Sequence, residues 1–228
     1  MKVILTGASG LVGEGVLMEC LSHPGVEKIL MINRRPLPVR HAKLQELIVP
    51  DFLQLEQYSR ELTGYDACFF CAGVSAKGMS EAEYTSITYD MTLSFAKALV
   101  EANSNMVFEY VSGSQTDSTE HGRFMWARVK GRTENALFKV PFKKAYAIRP
   151  GLMQPSPGQR NVKGYYKILG ALYPLLHRVL PNQVSTMRDV GLAMIRCAMD
   201  GYAKPILEIG DINALAGGGA SPKLRASM

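Results

Sequence analysis

Lys2-Val3-Ile4-Leu5-Thr6-Gly7-Ala8-Ser9-Gly10-Leu11-Val12-Gly13 is the stretch that decides the fold. A short apolar run ends at Thr6-Gly7, and glycines recur at Gly7, Gly10 and Gly13. Downstream, Leu11, Val12, Val16, Leu17 and Leu21 repeat at helical spacing, and a second apolar run covers 28–32. The order is therefore strand, glycine turn, helix, strand. Such a turn lets backbone lie against a dinucleotide pyrophosphate, with the anion facing free N–H groups at the positive end of a helix. A Cβ at these positions would block both the tight turn and the close approach. Gly7, Ser9, Gly10, Leu11, Val12 and Gly13 are the expected pyrophosphate contacts. The competing reading is a glycine turn that only packs helix on strand.

The end of the second strand reads the cofactor's ribose. An NAD site commonly carries an Asp or Glu there, about 20 residues after the glycines. This chain has Asn33-Arg34-Arg35. Asn lacks the charge that would repel a 2′-phosphate, and an arginine offers a planar fork of donors that suits one. The combination favours NADP(H) and leaves NAD(H) as the second choice. The plainer alternative is that Arg34 and Arg35 are solvated loop charges ahead of Pro36.

A chain of 228 residues is long enough for a sizeable core, and 47% apolar with 20% charged residues is ordinary globular composition. The net charge of +6 comes without an aromatic-and-basic nucleic-acid motif, so no nucleic-acid partner is expected. The first strand begins at residue 2, which leaves no room for a signal peptide. No apolar run is long enough to span a bilayer. These features predict a cytoplasmic protein without stable membrane insertion. Cys68 and Cys71 match C-x-x-C, but three residues apart on a strand they face opposite ways, so buried free thiols are expected for Cys20, Cys68, Cys71 and Cys197. The four histidines show no metal-ligand spacing, and no metal site is predicted.

Strands alternate with helices along the chain, which predicts a doubly wound α/β fold with a parallel sheet in the order 3-2-1-4-5-6. Strands are expected at 2–6, 28–32, 44–49, 67–71, 106–111, 144–148 and 205–209. Helices are expected at 11–22, 54–61, 81–102, 123–138, 162–180 and 186–200. Residues 152–161 read as a Pro/Gly loop. Residues 1–215 form one domain with a small C-terminal helical cap, and the Gly/Ser-rich 216–228 is a disordered tail. The basic, apolar stretch 162–180 reads as a lid or core helix, with a membrane-surface helix as the alternative.

These features together resemble the short-chain dehydrogenase/reductase superfamily in its extended or atypical branch, with its Rossmann fold. Among its small members the chain is similar to the NAD-dependent epimerase/dehydratase-like proteins and to the Tat-interacting-protein oxidoreductases. Thr6-Gly7-Ala-Ser-Gly10-Leu-Val-Gly13 looks like that branch's TGxxGxxG signature. The resemblance implies that Asp51, with Phe52 beside it, contacts the adenine. Cys71-Ala72-Gly73 stands where the superfamily has an Asn-x-Ala-Gly turn, and Ser112-Gly-Ser114 resembles its serine-rich active-site turn. Arg149-Pro150-Gly151 resembles the segment that borders nicotinamide, which places Pro150 and Gly151 at the cofactor.

The superfamily's Tyr-x-x-x-Lys is here Trp126-Ala-Arg-Val-Lys130. Residues four apart share a helix face. A Tyr at the first position passes a phenolic proton to a carbonyl, while the Lys lowers its pKa and holds the ribose. Trp has only an indole N–H, a donor without useful acidity, and cannot act as general acid or base. The expected catalytic set is Ser114, Ser112, Trp126 and Lys130, with Lys130 also at the cofactor ribose. Proton delivery would fall to Ser114 through water, to Thr116, or to another Tyr. Two functions follow. One is an oxidoreductase or epimerase-like enzyme acting on a carbonyl or sugar-like small molecule. The other is an NADPH-sensing binding protein without turnover. The resemblance also implies a homodimer contact through the helices at 81–102 and 123–138.

Overall fold

A computed structural model describes residues 1–162, 164, 173, 176, 178–180 and 183–218. Most of the helix expected at 162–180, and the tail beyond 218, lie outside the described residues.

Seven parallel strands form the main sheet. They are β1 (Lys2–Thr6), β2 (Lys28–Asn33), β3 (Leu44–Ile48), β4 (Ala67–Phe70), β5 (Val107–Val111), β6 (Lys144–Ile148) and, late in the chain, β9 (Ile206–Leu207). Their spatial order is β3-β2-β1-β4-β5-β6-β9. The predicted order is thus found, with the late strand added beside β6. The central strands are apolar on both faces because both faces are covered by helices. Alternation sends Val3 and Leu5 into one core and Ile4 into the other.

The first core lies under α1 (Leu11–Ser22), α5 (Met187–Asp200) and α6 (Ile209–Ala216). A Cβ on Gly15 would stand 3.0 Å from Met187, and one on Gly191 would stand 2.7 Å from Glu19, so α1 and α5 meet closely only as glycine-bearing helices. The second core lies under a 3-10 turn (Phe52–Tyr58), α3 (Met91–Ala102) and α4 (Met125–Leu137), and its rings pack Phe52 and Phe70 against Phe95.

Three expectations are corrected. The single helix predicted over 81–102 is α2 (Glu81–Thr85), one π turn (Ser86–Asp90) and then α3. Periodicity cannot reveal an inserted π residue, because the apolar stripe resumes beyond it. Residues 152–161 are not all loop: β7 (Leu152–Gln154) pairs in parallel with β8 (Val184–Thr186) as a separate two-stranded sheet. The last strand stops at Leu207, since Glu208 and Asp211 form a capping box that starts α6 at Ile209. The described C-terminal helices lie in the layer beside α1.

Candidate functional site

The glycine turn has the shape its sequence demands. Gly7 adopts φ +74°, and a Cβ there would collide with the Cys71 and Ala72 backbone at 2.5–2.6 Å. A Cβ on Gly13 would strike the Gly7 carbonyl oxygen at 2.1 Å. These two glycines bring strand end, turn and helix into contact. Gly10 differs, because a Cβ there would meet only the Gly7 carbonyl oxygen, at 3.3 Å, with its other sides open. Gly10 is the N-cap of α1, and no side chain caps the helix. The first-turn N–H groups are therefore available to an anion. Thr6 closes the other side, its Oγ1 accepting from the Ala72 N–H at 3.2 Å.

A cleft of about 350 Å³ opens at this turn, at the carboxyl ends of β1, β4 and β5. Of the predicted residues, Gly10, Leu11 and Val12 line it from the turn, Cys71, Ala72 and Gly73 from the end of β4, and Ser112 and Lys130 from the far side. Burial pushes the Cys71 thiol well above its usual range, so it stays protonated. Cys68 belongs to the opposite core, and all four cysteines are free thiols. Among the described residues no cluster of three or more His, Cys, Asp or Glu could hold a metal.

Ser112 lies within a buried network. Its Oγ donates to Glu134 Oε1 at 2.5 Å, and its carbonyl oxygen accepts from Lys130 Nζ. Glu134, wholly buried on α4, also binds Arg149 through both carboxylate oxygens. Arg149 extends the network to Ser118 Oγ at 2.6 Å and to Glu208 Oε1 at 3.0 Å. The Ser112 proton is thus committed to a carboxylate. Ser112 is a structural link, not a free donor to substrate. Arg149, beside Pro150 and Gly151, is likewise engaged through all three of its guanidinium nitrogens. Pro150 lends its carbonyl to the Ser114 N–H at 2.9 Å, and a Cβ on Gly151 would meet Ile209 at 2.4 Å and the Gln183 carbonyl oxygen at 2.6 Å.

Among the described residues Lys130 is the one charged side chain lining the cleft. Loss of solvation lowers its pKa to about 8, partly offset by Glu134 one turn on. Trp126, one turn before it, is half-buried, and neither Trp126 nor Ser114 is among the lining residues.

At the ribose end, Asn33 is buried and donates to Glu46 Oε1 at 3.0 Å, and the same oxygen accepts the Leu37 N–H at 2.9 Å. Asn33 therefore anchors the 34–37 turn. The acid beside it stands on the neighbouring strand β3, and no local signal in the sequence marks it as Asn33's partner. Arg34 and Arg35 are exposed and have no hydrogen-bond or ion-pair partner among the described residues. Asp51 caps the 3-10 turn by accepting the Leu53 N–H at 2.9 Å. The Phe52 ring is buried against Phe95, 5.3 Å between centroids, so only its backbone can face an adenine.

Also missed were Tyr84, Thr88 and Thr92, which line the cleft from α2, the π turn and α3. Their signal was a polar stripe at intervals of four on an otherwise apolar helix face.

The family model of the NAD dependent epimerase/dehydratase family matches residues 3–122, from β1 through the serine turn. The chain belongs to that family. Rat protein HTATIP2 is 27% identical over 154 residues, covering 67% of this chain and 62% of that protein. The chain thus matches less than two thirds of that relative's length. Protein fmp52, mitochondrial, of Emericella nidulans is 29% identical over 167 residues, covering 70% of this chain and 69% of that protein. Among solved structures, MoeE5 in complex with UDP-glucuronic acid and NAD superposes with a TM-score of 0.64 at 16% identity, covering 96% of this chain and 82% of that one. At that identity the likeness concerns the epimerase/dehydratase fold. No helix among the described residues is long and apolar enough to cross a membrane.

Proposed function

We propose that the chain binds NADP(H) at the glycine turn and acts as an oxidoreductase or epimerase-like enzyme on a carbonyl or sugar-like small molecule in the adjoining cleft. The observation that carries this reading is the uncapped α1 N-terminus opening into the same cleft as Lys130. The first-turn N–H groups of α1 receive the pyrophosphate. Lys130 donates to the ribose hydroxyls. The free guanidinium forks of Arg34 and Arg35 receive the 2′-phosphate, while the Glu46 charge is already turned to Asn33 and the Leu37 N–H. A bound nicotinamide supplies hydride transfer, and the protein supplies orientation and electrostatics.

Separate calorimetric titrations with NADPH and NADH test this. The expected result is NADPH binding at least about tenfold tighter. Failure of both to bind would leave the glycine turn as a packing device.

Trp126 in place of a phenol favours a second reading, an NADPH-sensing protein without turnover. If Trp126→Tyr gains NADPH-linked turnover on carbonyls that the parent ignores, that reading stands. We further propose a cytoplasmic location and a homodimer through the outer faces of α3 and α4. Cell fractionation against a mitochondrial marker and sedimentation equilibrium test these.

A further inference from the structure

The α2–π–α3 wall holds the most unusual polar group in the cleft. Thr88 is only 6% exposed, it sits in the π turn, and its Oγ1 has no hydrogen-bond partner of good geometry. A buried hydroxyl left unpaired costs free energy, and such an orphan calls for an explanation. The Tyr84 phenol lies beside it. Tyr84 is 2% exposed, and burial holds it in the neutral, proton-bearing form. Spacing of four puts Tyr84, Thr88 and Thr92 on one helix face, and all three line the cleft. The π turn, closed by the Met91 N–H on the Ser86 carbonyl, lies midway along that face. Single π turns recur at functional sites, where they set the facing of side chains in just this way.

The rest of the lining limits what can bind. Among the described residues Lys130 is its one charge and no carboxylate lines it, while Val74, Val111 and Met153 are apolar. Among those residues cation recognition has no partner.

We propose that Tyr84 and Thr88 form a substrate-oxygen site: two neutral hydroxyls that hold the carbonyl or alcohol oxygen of an uncharged, otherwise apolar substrate. Tyr84 thereby provides the phenolic hydrogen bond that Trp126 cannot give, from a different helix. The inference rests on the reading of this cleft as the reaction site, and its ligand is the substrate rather than the dinucleotide.

The test uses the full chain and three probes on the same six-membered ring: cyclohexanone and cyclohexanol as neutral oxygen ligands, and cyclohexanecarboxylate as the anion. Affinity is read by ligand-observed NMR, and NADPH affinity separately by calorimetry. Both neutral probes are expected to bind the parent and Thr88→Ser alike. Thr88→Val and Tyr84→Phe each weaken them about five- to tenfold, the loss of one neutral hydrogen bond. NADPH affinity stays within twofold for all variants. Thr88→Ser keeps the hydroxyl, so its behaviour separates the site from any folding defect in the valine variant. Equal affinity of parent, Thr88→Val and Tyr84→Phe for the neutral probes would overturn the proposal. So would no binding of them, or preference for the carboxylate, which would make Lys130 the recognition group. Neutral-probe binding that depends on Thr88 in a protein that ignores NADPH would uphold the oxygen site and remove the dinucleotide reading.

Discussion

The two walls of the cleft differ in how far their polar groups are satisfied. On the α4 side, Ser112, Glu134, Arg149, Ser118 and Glu208 bind one another through nearly every available donor and acceptor. On the α2–π–α3 side, Thr88 is buried without a well-formed hydrogen bond beside a neutral phenol. Residues that resemble a catalytic turn, Ser112 above all, prove to be the rigid wall. Residues without a motif form the open one. A saturated network rigidifies and holds position, whereas an unsatisfied buried hydroxyl is tolerated where a ligand completes it.

The largest expected effect breaks the rigid wall. Glu134→Ala leaves the buried Arg149 with only the exposed Glu208 carboxylate as a charge partner and should cost about 3 kcal/mol in denaturant unfolding. A loss below about 1 kcal/mol would mean that the network is not what holds Ser112 and Lys130. Glu109 offers a control outside the cleft. It is fully buried on β5 with neither carboxyl oxygen meeting an N–H or O–H donor, only the Cys197 thiol beside it, and burial raises its pKa far above the carboxylate range. A group with a raised folded pKa contributes stability that is full below its unfolded pKa and declines as pH climbs toward the folded value. Stability should therefore fall as pH rises above the ordinary carboxylate range, with a slope of up to about 1.4 kcal/mol per pH unit, and Glu109→Gln should remove that slope. Parallel pH profiles for parent and variant would show that Glu109 does not carry the proton.

Two smaller effects sharpen the contrast on the cofactor side. Arg34→Ala should weaken NADPH about tenfold and NADH less than twofold by calorimetry, and equal losses would remove Arg34 from the 2′-phosphate. Lys130 titrates at about 8, so its charge fades from pH 7 to 9. NADPH affinity should decline a few-fold over that range in the parent and stay flat in Lys130→Met, measured against a pH-matched stability control.

Much of the fold was legible because local signals and tertiary demands agree. The runs Val3–Leu5 and Ile29–Ile32 are apolar throughout, as strands covered on both faces must be, and Gly7 and Gly13 are required by backbone contacts that would collide with any Cβ. The π turn at Ser86–Asp90 and the β7–β8 pairing were not legible. A π insertion leaves periodicity intact on either side, and a three-residue strand pairs with a partner about 30 residues away.

The same division runs through the site. Spacing along the chain accounts for the strand–turn–helix cradle, the strand order, the Trp126-x-x-x-Lys130 register and the arginines after β2. Each of these depends on the spacing of neighbours along the chain. Only the tertiary structure decided that Ser112 belongs to Glu134, that Asn33 belongs to Glu46 and that Phe52 is core. Tertiary packing also sets Thr88 in the cleft wall beside Tyr84 without a well-formed hydrogen bond. Hydrogen-bond satisfaction depends on which groups meet across elements distant in the chain, and residue order does not specify those meetings.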